Sequence, residues 1–257
     1  MRRAWPIVAG QEIRELWIAG RGLPLTIAYS LLLSVITYLV ATNTALNFLE
    51  QREAVNLTLQ VAVATAALLV LLAAADAISG ERERGTLESL LLAPAPRIDL
   101  VAGKGVAVLS LWVAGLLVAI PYVWFLGRGV GVVGLALANG LLVALLLGLF
   151  LVGLGLLVST FSRSNRLSLS VSFFILLALF APTQLPSGAQ GSWVGNALLR
   201  LDPISSGLHY LGRLIVDGRT VGQELSWLIG PAIAATLAVA GALVASRSLG
   251  LRGGAGS

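Results

Sequence analysis

The sequence has no cysteine, one histidine and one lysine, and only 11% of its 257 residues are charged. Without cysteine there is neither a disulfide nor a thiolate metal site, and His209 alone cannot assemble a zinc site. No metal-binding residue is assigned. Catalytic signatures are missing too: there is no H-E-x-x-H, no G-x-S-x-G and no Walker G-x-x-x-x-G-K-[ST]. Val101-Ala102-Gly103-Lys104-Gly105 contains a Gly-Lys pair, but neither the glycine loop nor the following Ser/Thr of a phosphate cradle. No catalytic residue is assigned either. A net charge of +5 and a pI near 10.4 raise the question of nucleic acid. The basic residues, however, are scattered at the ends of apolar runs and build no basic helix, which argues against nucleic acid as a partner.

What is present is apolar. The chain is 57% hydrophobic with a mean hydropathy of +0.92, the composition of a polytopic membrane protein. About 20 residues are needed to cross the hydrocarbon. Six runs of that kind fit: Leu23–Ala41, Leu57–Ser79, Val106–Leu126, Val130–Val158, Leu167–Ala181 and Leu225–Ala245. The expected fold is all-α, a single transmembrane domain over residues 1–257. With the N-terminus inside, the inner segments hold 12 Lys and Arg and the outer ones 5, so the positive-inside rule puts both termini in the cytoplasm. Met1–Gly22 lacks the order of a signal peptide and is expected to stay attached. Ile13, Leu16, Trp17 and Ile18 fall on one side of a helix, with Gln11, Glu12, Arg14 and Glu15 on the other. This pattern predicts a helix lying flat in the membrane interface.

The chain is organised around a polar island, ISGERERGTLESLLLAPAPRIDLVAGK, Ile78 to Lys104. Glu81, Arg82, Glu83, Arg84 and Glu88 cannot lie in hydrocarbon, where each charge costs roughly 2.5 to 3.5 kcal/mol. Gly85 is placed to end the helix arriving from the second span, and Thr86 to cap a new one. Glu88 suits the first turn of that helix, about Leu87 to Ala93, while Pro94 and Pro96 end it. Leu87, Leu90 and Leu91 share its face and need a surface to cover them. Asp99 is placed to cap the helix that carries Lys104 into the third span.

The run E-R-E-R-G-T-L-E-S-L-L-x-x-P, followed by x-x-G-K before a span, resembles the signature of permease subunits of type-2 superfamily ABC exporters. The resemblance implies a short coupling helix seated in a groove of a separate ABC ATPase. Glu81 to Glu88, Leu90, Leu91 and Lys104 are then the ATPase-coupling residues. It also implies two ATPase copies that consume ATP and Mg2+, no cofactor bound by this chain, and a second permease copy or a related permease. The setting implied is a prokaryotic inner membrane, and the first helix would touch the ATPase as well. A solvated loop and a simple interfacial anchor remain the alternatives for the island and for the first helix.

Three further features need places. Ala136, Gly140, Ala144 and Gly148 repeat every four residues in the fourth span, a seam that lets another helix approach closely. Asp76 is an ionisable residue inside an apolar run; it is either functional or pairs with Arg82 or Arg84 near the surface. Between the last two spans, residues 182–224 read as a turn region (Pro182, Pro186 and Ser187–Ser192) followed by two short helices, Trp193–Leu201 and Ile204–Val216, separated by Asp202-Pro203. L-D-P-I-S-S-G-L-H-Y-L-G-R resembles the family's stretch before the last span, which implies a re-entrant or external gate element with Pro203, Leu208, Tyr210 and Arg213. An amphipathic helix on the outer leaflet is the alternative, with His209 as an interfacial polar residue.

Three function classes compete on these residues. A membrane enzyme lacks a catalytic constellation. A secondary transporter or channel working without an ATPase calls for ionisable or helix-breaking residues at mid-membrane, where Pro121 is the one candidate. An ATP-driven exporter permease accounts for the island, the six spans and the scarcity of intramembrane charge together. Its cargo is not encoded in any motif; Thr37, Tyr38, Gln60, Thr65 and Asn139 would admit an amphipathic molecule.

Overall fold

A computed structural model describes residues 4–42, 48–92, 95–129, 131–185 and 191–249. The described residues form helices and no strand. Helix α1 (Trp5–Arg14) continues into a π-helical turn, Glu15–Ala19, before α2 (Gly22–Ala41). The long α3 (Phe48–Arg84), the short α4 (Leu87–Leu91), α5 (Arg97–Gly127), α6 (Val133–Phe161) and α7 (Asn165–Phe180) follow. A 3-10 turn, Ala181–Gln184, then leads towards α8 (Trp193–Leu201), α9 (Pro203–Ile215), α10 (Val221–Glu224), a second such turn (Leu225–Leu228) and α11 (Ile229–Ala245). Six helical stretches are long and apolar enough to span a membrane, and they coincide with the six expected runs.

The boundaries differ in one instructive way. At about 1.5 Å per residue, the 37-residue α3 is about 55 Å long, well beyond the ~30 Å hydrocarbon core. Hydropathy marks where polar side chains begin, but the backbone keeps its helical hydrogen bonds past that point. The Glu81–Arg84 part of the island is therefore the last turn of α3 and not a loop. Gly85 ends it, with φ +74. Its N–H reaches Arg82 O (3.3 Å) and the N–H of Thr86 reaches Glu81 O (3.0 Å), the paired bonds of a Schellman turn.

Two expected caps are used otherwise. Thr86 precedes α4 but makes no side-chain cap, its hydroxyl donating to Glu81 O at 3.3 Å. Asp99 lies in the first turn of α5, yet its Oδ2 accepts from the N–H groups of Ala4 (2.6 Å) and Trp5 (3.2 Å) and so caps α1. Pro96 precedes α5 as expected of a helix stop, whereas Pro94 lies outside the described residues, as do Pro186 and part of the Ser187–Ser192 cluster.

Helix α6 is the packing centre. The apolar core gathers on its Val143, Leu147 and Leu151, which meet α3, α5, α9 and α11. Bare glycine lets two helices close onto it. A Cβ on Gly155 would fall 2.5 Å from Ala74 Cβ of α3, and one on Gly153 would fall 2.6 Å from the Ala238 backbone of α11. In the predicted seam, Gly148 receives the Trp112 indole, 2.4 Å from an added Cβ, whereas Gly140 has only Leu59 Cδ2 nearby at 3.8 Å. Gly153→Ala should therefore lower stability by about 1 to 3 kcal/mol, while Gly140→Ala stays near neutral; thermal unfolding of the two detergent-solubilised variants compares them.

Candidate functional site

One end of the bundle collects α1, the end of α3, α4, the start of α5, the α6–α7 junction and the tail of α11. Lys104 is at its centre. Its side chain is 3% exposed and its ammonium contacts Glu12 Oε1 at 2.6 Å and Glu81 Oε1 at 2.5 Å, so one buried cation ties α1, α3 and α5 together. Glu12 was expected on the outer, polar side of α1. It instead continues the inward row of Val8 and Leu16, and Val8 packs so closely on Gly103 that an added Cβ there would lie 2.6 Å from it. Burial pushes the Glu12 carboxyl above its ordinary 4.5, and the attraction of Lys104 opposes this only in part. Glu81 keeps one buried oxygen, Oε2, without a hydrogen-bond partner.

The neighbouring charges also turn into the chain. Arg82 donates to the carbonyls of Ser162 and Thr160 (3.0 Å for the latter), covering the open carbonyls that end α6. Glu83 accepts from the N–H of Asn165 at 2.8 Å, at the positive start of α7. Asp76, for which pairing with Arg82 or Arg84 was one expectation, accepts from Asn165 Nδ2 at 2.7 Å and makes no ion pair within 4 Å among the described residues. Below it, Ser159 Oγ accepts from the N–H groups of Ile78 (3.0 Å) and Ser79 (2.9 Å) and donates to Ala75 O (2.6 Å).

The residues expected to couple to an ATPase thus divide. Lys104 and Leu87 are buried within this chain, and Leu91 packs partly on its core. Glu81, Arg82 and Glu83 are engaged by its own helices. Arg84, Gly85, Thr86 and Glu88 are exposed, Leu90 is half-buried, and Leu92, outside the expected set, is 73% exposed. The leucine face is therefore covered mainly by α4's own bundle. What α4 offers outward is a polar rim around Leu92.

At the opposite end α9 enters the bundle. Asp202 caps it, its Oδ2 accepting from Ser205 N–H at 2.6 Å, with Pro203 in the first turn. Ile204, Tyr210, Leu211 and Ile215 are at most 1% exposed, and Leu208 is 5% exposed. A Cβ on Gly207 would lie 2.8 Å from Val143 Cγ1, about 15 Å along α6 from its start. Tyr210 donates to Asn139 Oδ1 at 2.7 Å. Such burial does not fit a helix resting on a leaflet, and a charge at Leu208 would oppose folding before it reached any gate. His209 lies tilted by 40° against Trp227 (centroids 4.1 Å apart) and accepts from Arg213 Nε at 3.3 Å, while Arg213 pairs with Asp217 at 3.0 Å. Between α2, α3 and α9 lies a cavity of about 930 Å³ whose polar wall is Glu53, Asn56, Gln60, His209, Arg213 and Asp217. Gln60 is the one residue of the expected polar set that lines it.

The family model for ABC-2 family transporter protein matches residues 8–252. The chain belongs to the ABC-2 family. It is a multi-pass membrane protein and a permease subunit of an ABC transporter. Comparison with curated proteins finds no match. For this ABC-2 permease, sequence reasoning located the island but missed the partners of four residues that tie it to neighbouring helices: Glu12, Asp99, Ser159 and Asn165. For Glu12 a signal existed, since it sits four residues from Val8 and four from Leu16 on the inward row; the other three are polar residues at helix ends with no local mark of a distant partner.

Lys104→Met leaves two carboxylates facing each other without their cation and should destabilise the permease by about 3 kcal/mol; adding Glu12→Gln restores part of this. Because the folded Glu12 carboxyl is raised, its stabilising contribution is full below its ordinary 4.5 and fades as pH rises through the folded value. Thermal stability of the wild type relative to Glu12→Gln should therefore fall with rising pH across that window, as unfolding scans at stepped pH would measure.

Proposed function

We propose that this permease is the transmembrane subunit of an ATP-driven exporter, coupled at its Lys104 end to a separate ABC ATPase. The observation that carries the reading is the mounting of α4. Its outward rim of Glu88 and Leu92 is exposed, while its base is locked through Lys104, Arg82 and Glu83 to α1, α5, α6 and α7. A force on α4 then reaches helices on every side of the bundle. A small helix with one apolar tip and charged flanks is the composition that fills an apolar groove with a polar rim.

The assembly we infer has two permease chains, two copies of this one or one with a related permease, and two ATPases that consume ATP and Mg2+. Both termini and the island face the cytoplasm of a prokaryotic inner membrane. Two features support that orientation: the 12-to-5 distribution of basic residues, and the gathering of α1, the island and the tail of α11 at one end, where Arg97 donates to Arg247 O at 3.4 Å. At the other end α9, with Pro203, Leu208, Tyr210 and Arg213, forms the wall of the cavity through which cargo leaves. Leu208 and Tyr210 act by fixing that wall, and Arg213 faces the cavity.

Leu92→Asp should reduce co-purification of the ATPase about tenfold or more, because a charge would enter the apolar groove, while the permease itself stays folded. A Leu92→Asp chain that retains stoichiometric ATPase and normal transport removes the coupling role of α4 and favours a transporter that works without an ATPase. The natural absence of cysteine makes a second measurement clean: single cysteines at Gly85 and Ser164 should label only from the cytoplasm, and those at Gln51 and Gly191 only from outside.

A further inference from the structure

The outer half of the α6 seam is met only loosely, Gly140 having just Leu59 of α3 nearby at 3.8 Å, and it forms one wall of a cleft of about 410 Å³ whose other wall is α5. Ala62 and Ala66 of α3 and Leu211 of α9 make the floor, and the rims, Ile120 and Leu141, are 41% and 60% exposed on the outside of the bundle. The cleft therefore opens sideways, at the depth where the apolar spans meet lipid. From Trp112 to Val123 it runs about 16 Å along α5, close to half of the ~30 Å hydrocarbon core. Trp112 closes its inner end by donating to Ala144 O at 2.9 Å, and the Tyr29 hydroxyl in the wall donates to Ala62 O at 3.3 Å. With both side-chain donors taken, the lining offers no free side-chain donor and is otherwise apolar, which leaves a hydrocarbon chain as the fitting occupant.

The outer end supplies a charge. Ile120, Trp124 and Arg128 follow one another at four-residue steps along the rim. The Arg128 guanidinium rests 4.6 Å from the Phe125 ring centroid and 5.8 Å from that of Trp124, at the exposed C-terminal end of α5. No carboxylate among the described residues lies within 4 Å of it. An aromatic pair carrying a cation just beyond an apolar span is the arrangement of a headgroup contact. We infer that the α5–α6 cleft holds one acyl chain of an anionic bilayer phospholipid whose phosphate is bound by Arg128. The site is independent of the ATPase-coupling reading: it lies on the opposite half of the molecule and uses none of the α4 residues.

Native mass spectrometry of the purified transporter, exchanged into mixed micelles of phosphatidylglycerol and phosphatidylcholine, tests this. The wild type should retain one phosphatidylglycerol per permease chain. Gly140→Leu, which fills the cleft, should abolish retention of either lipid. Arg128→Gln, an exposed substitution that leaves the core intact, should lower the preference for phosphatidylglycerol over phosphatidylcholine about tenfold while one lipid is still held. Retention of no lipid by the wild type, or of the same anionic lipid by both variants, overturns the assignment.

Discussion

An ammonium almost out of water is tolerated only where opposite charge meets it, and Lys104 is met by two carboxylates from two different helices. That requirement fixes the rest of this end of the molecule. It draws Glu12 inward, which lays α1 along α5 and brings the N–H groups of Ala4 and Trp5 to Asp99. It holds Glu81 in helical register, so that the following residues project to either side, Arg82 to the end of α6 and Glu83 to the start of α7. A cluster that reads locally as an exposed charged loop is, in three dimensions, a set of helix caps arranged about one cation.

The bundle obeys a second constraint. Between spans in lipid there is little hydrophobic gain from helix association, so contact depends on close fit and on hydrogen bonds formed between helices. Gly153 and Gly155 let α11 and α3 reach α6, and Ser159 bonds across to the backbone of α3 at Ile78 and Ser79. The same helix is loosely packed on its outer half, where α9 covers one side and the other opens as the α5–α6 cleft. The permease is thus tied tightly at the Lys104 end and holds the α2–α3–α9 cavity and the α5–α6 cleft towards the opposite end. This division suits the coupling proposed above, with force received at one end and rearrangement at the other.

How much was legible in the residues follows from the range of the interactions. Six apolar runs, the stop at Gly85, the short α4 and the two helices flanking Asp202-Pro203 are local in origin: each depends on side-chain transfer, glycine's access to positive φ or a cap within a few residues. The family assignment belongs with them, since the run that resembles the family's signature is contiguous over Glu81 to Lys104 and the family model matches almost the whole chain. Thr86 and Asp99 show where local reasoning stopped. Both stand where a cap belongs, but the hydroxyl of one turns back to Glu81 and the carboxylate of the other caps a helix more than 90 residues away in sequence.

The sequence by itself determined that this chain is an all-helical membrane protein with six spans, a charged segment excluded from hydrocarbon, and an excess of basic residues on one side. Those properties follow from the transfer free energy of each side chain, which does not depend on its distant neighbours. Only the tertiary structure decided which charges face outward and which turn in, that α9 lies inside the bundle, and where the cavities open. Those outcomes depend on pairs such as Glu12 with Lys104 and Tyr210 with Asn139, brought together by helices that meet only when the chain folds. A side chain's chemistry sets what partner it needs, and the packing of the bundle decides which partner it finds.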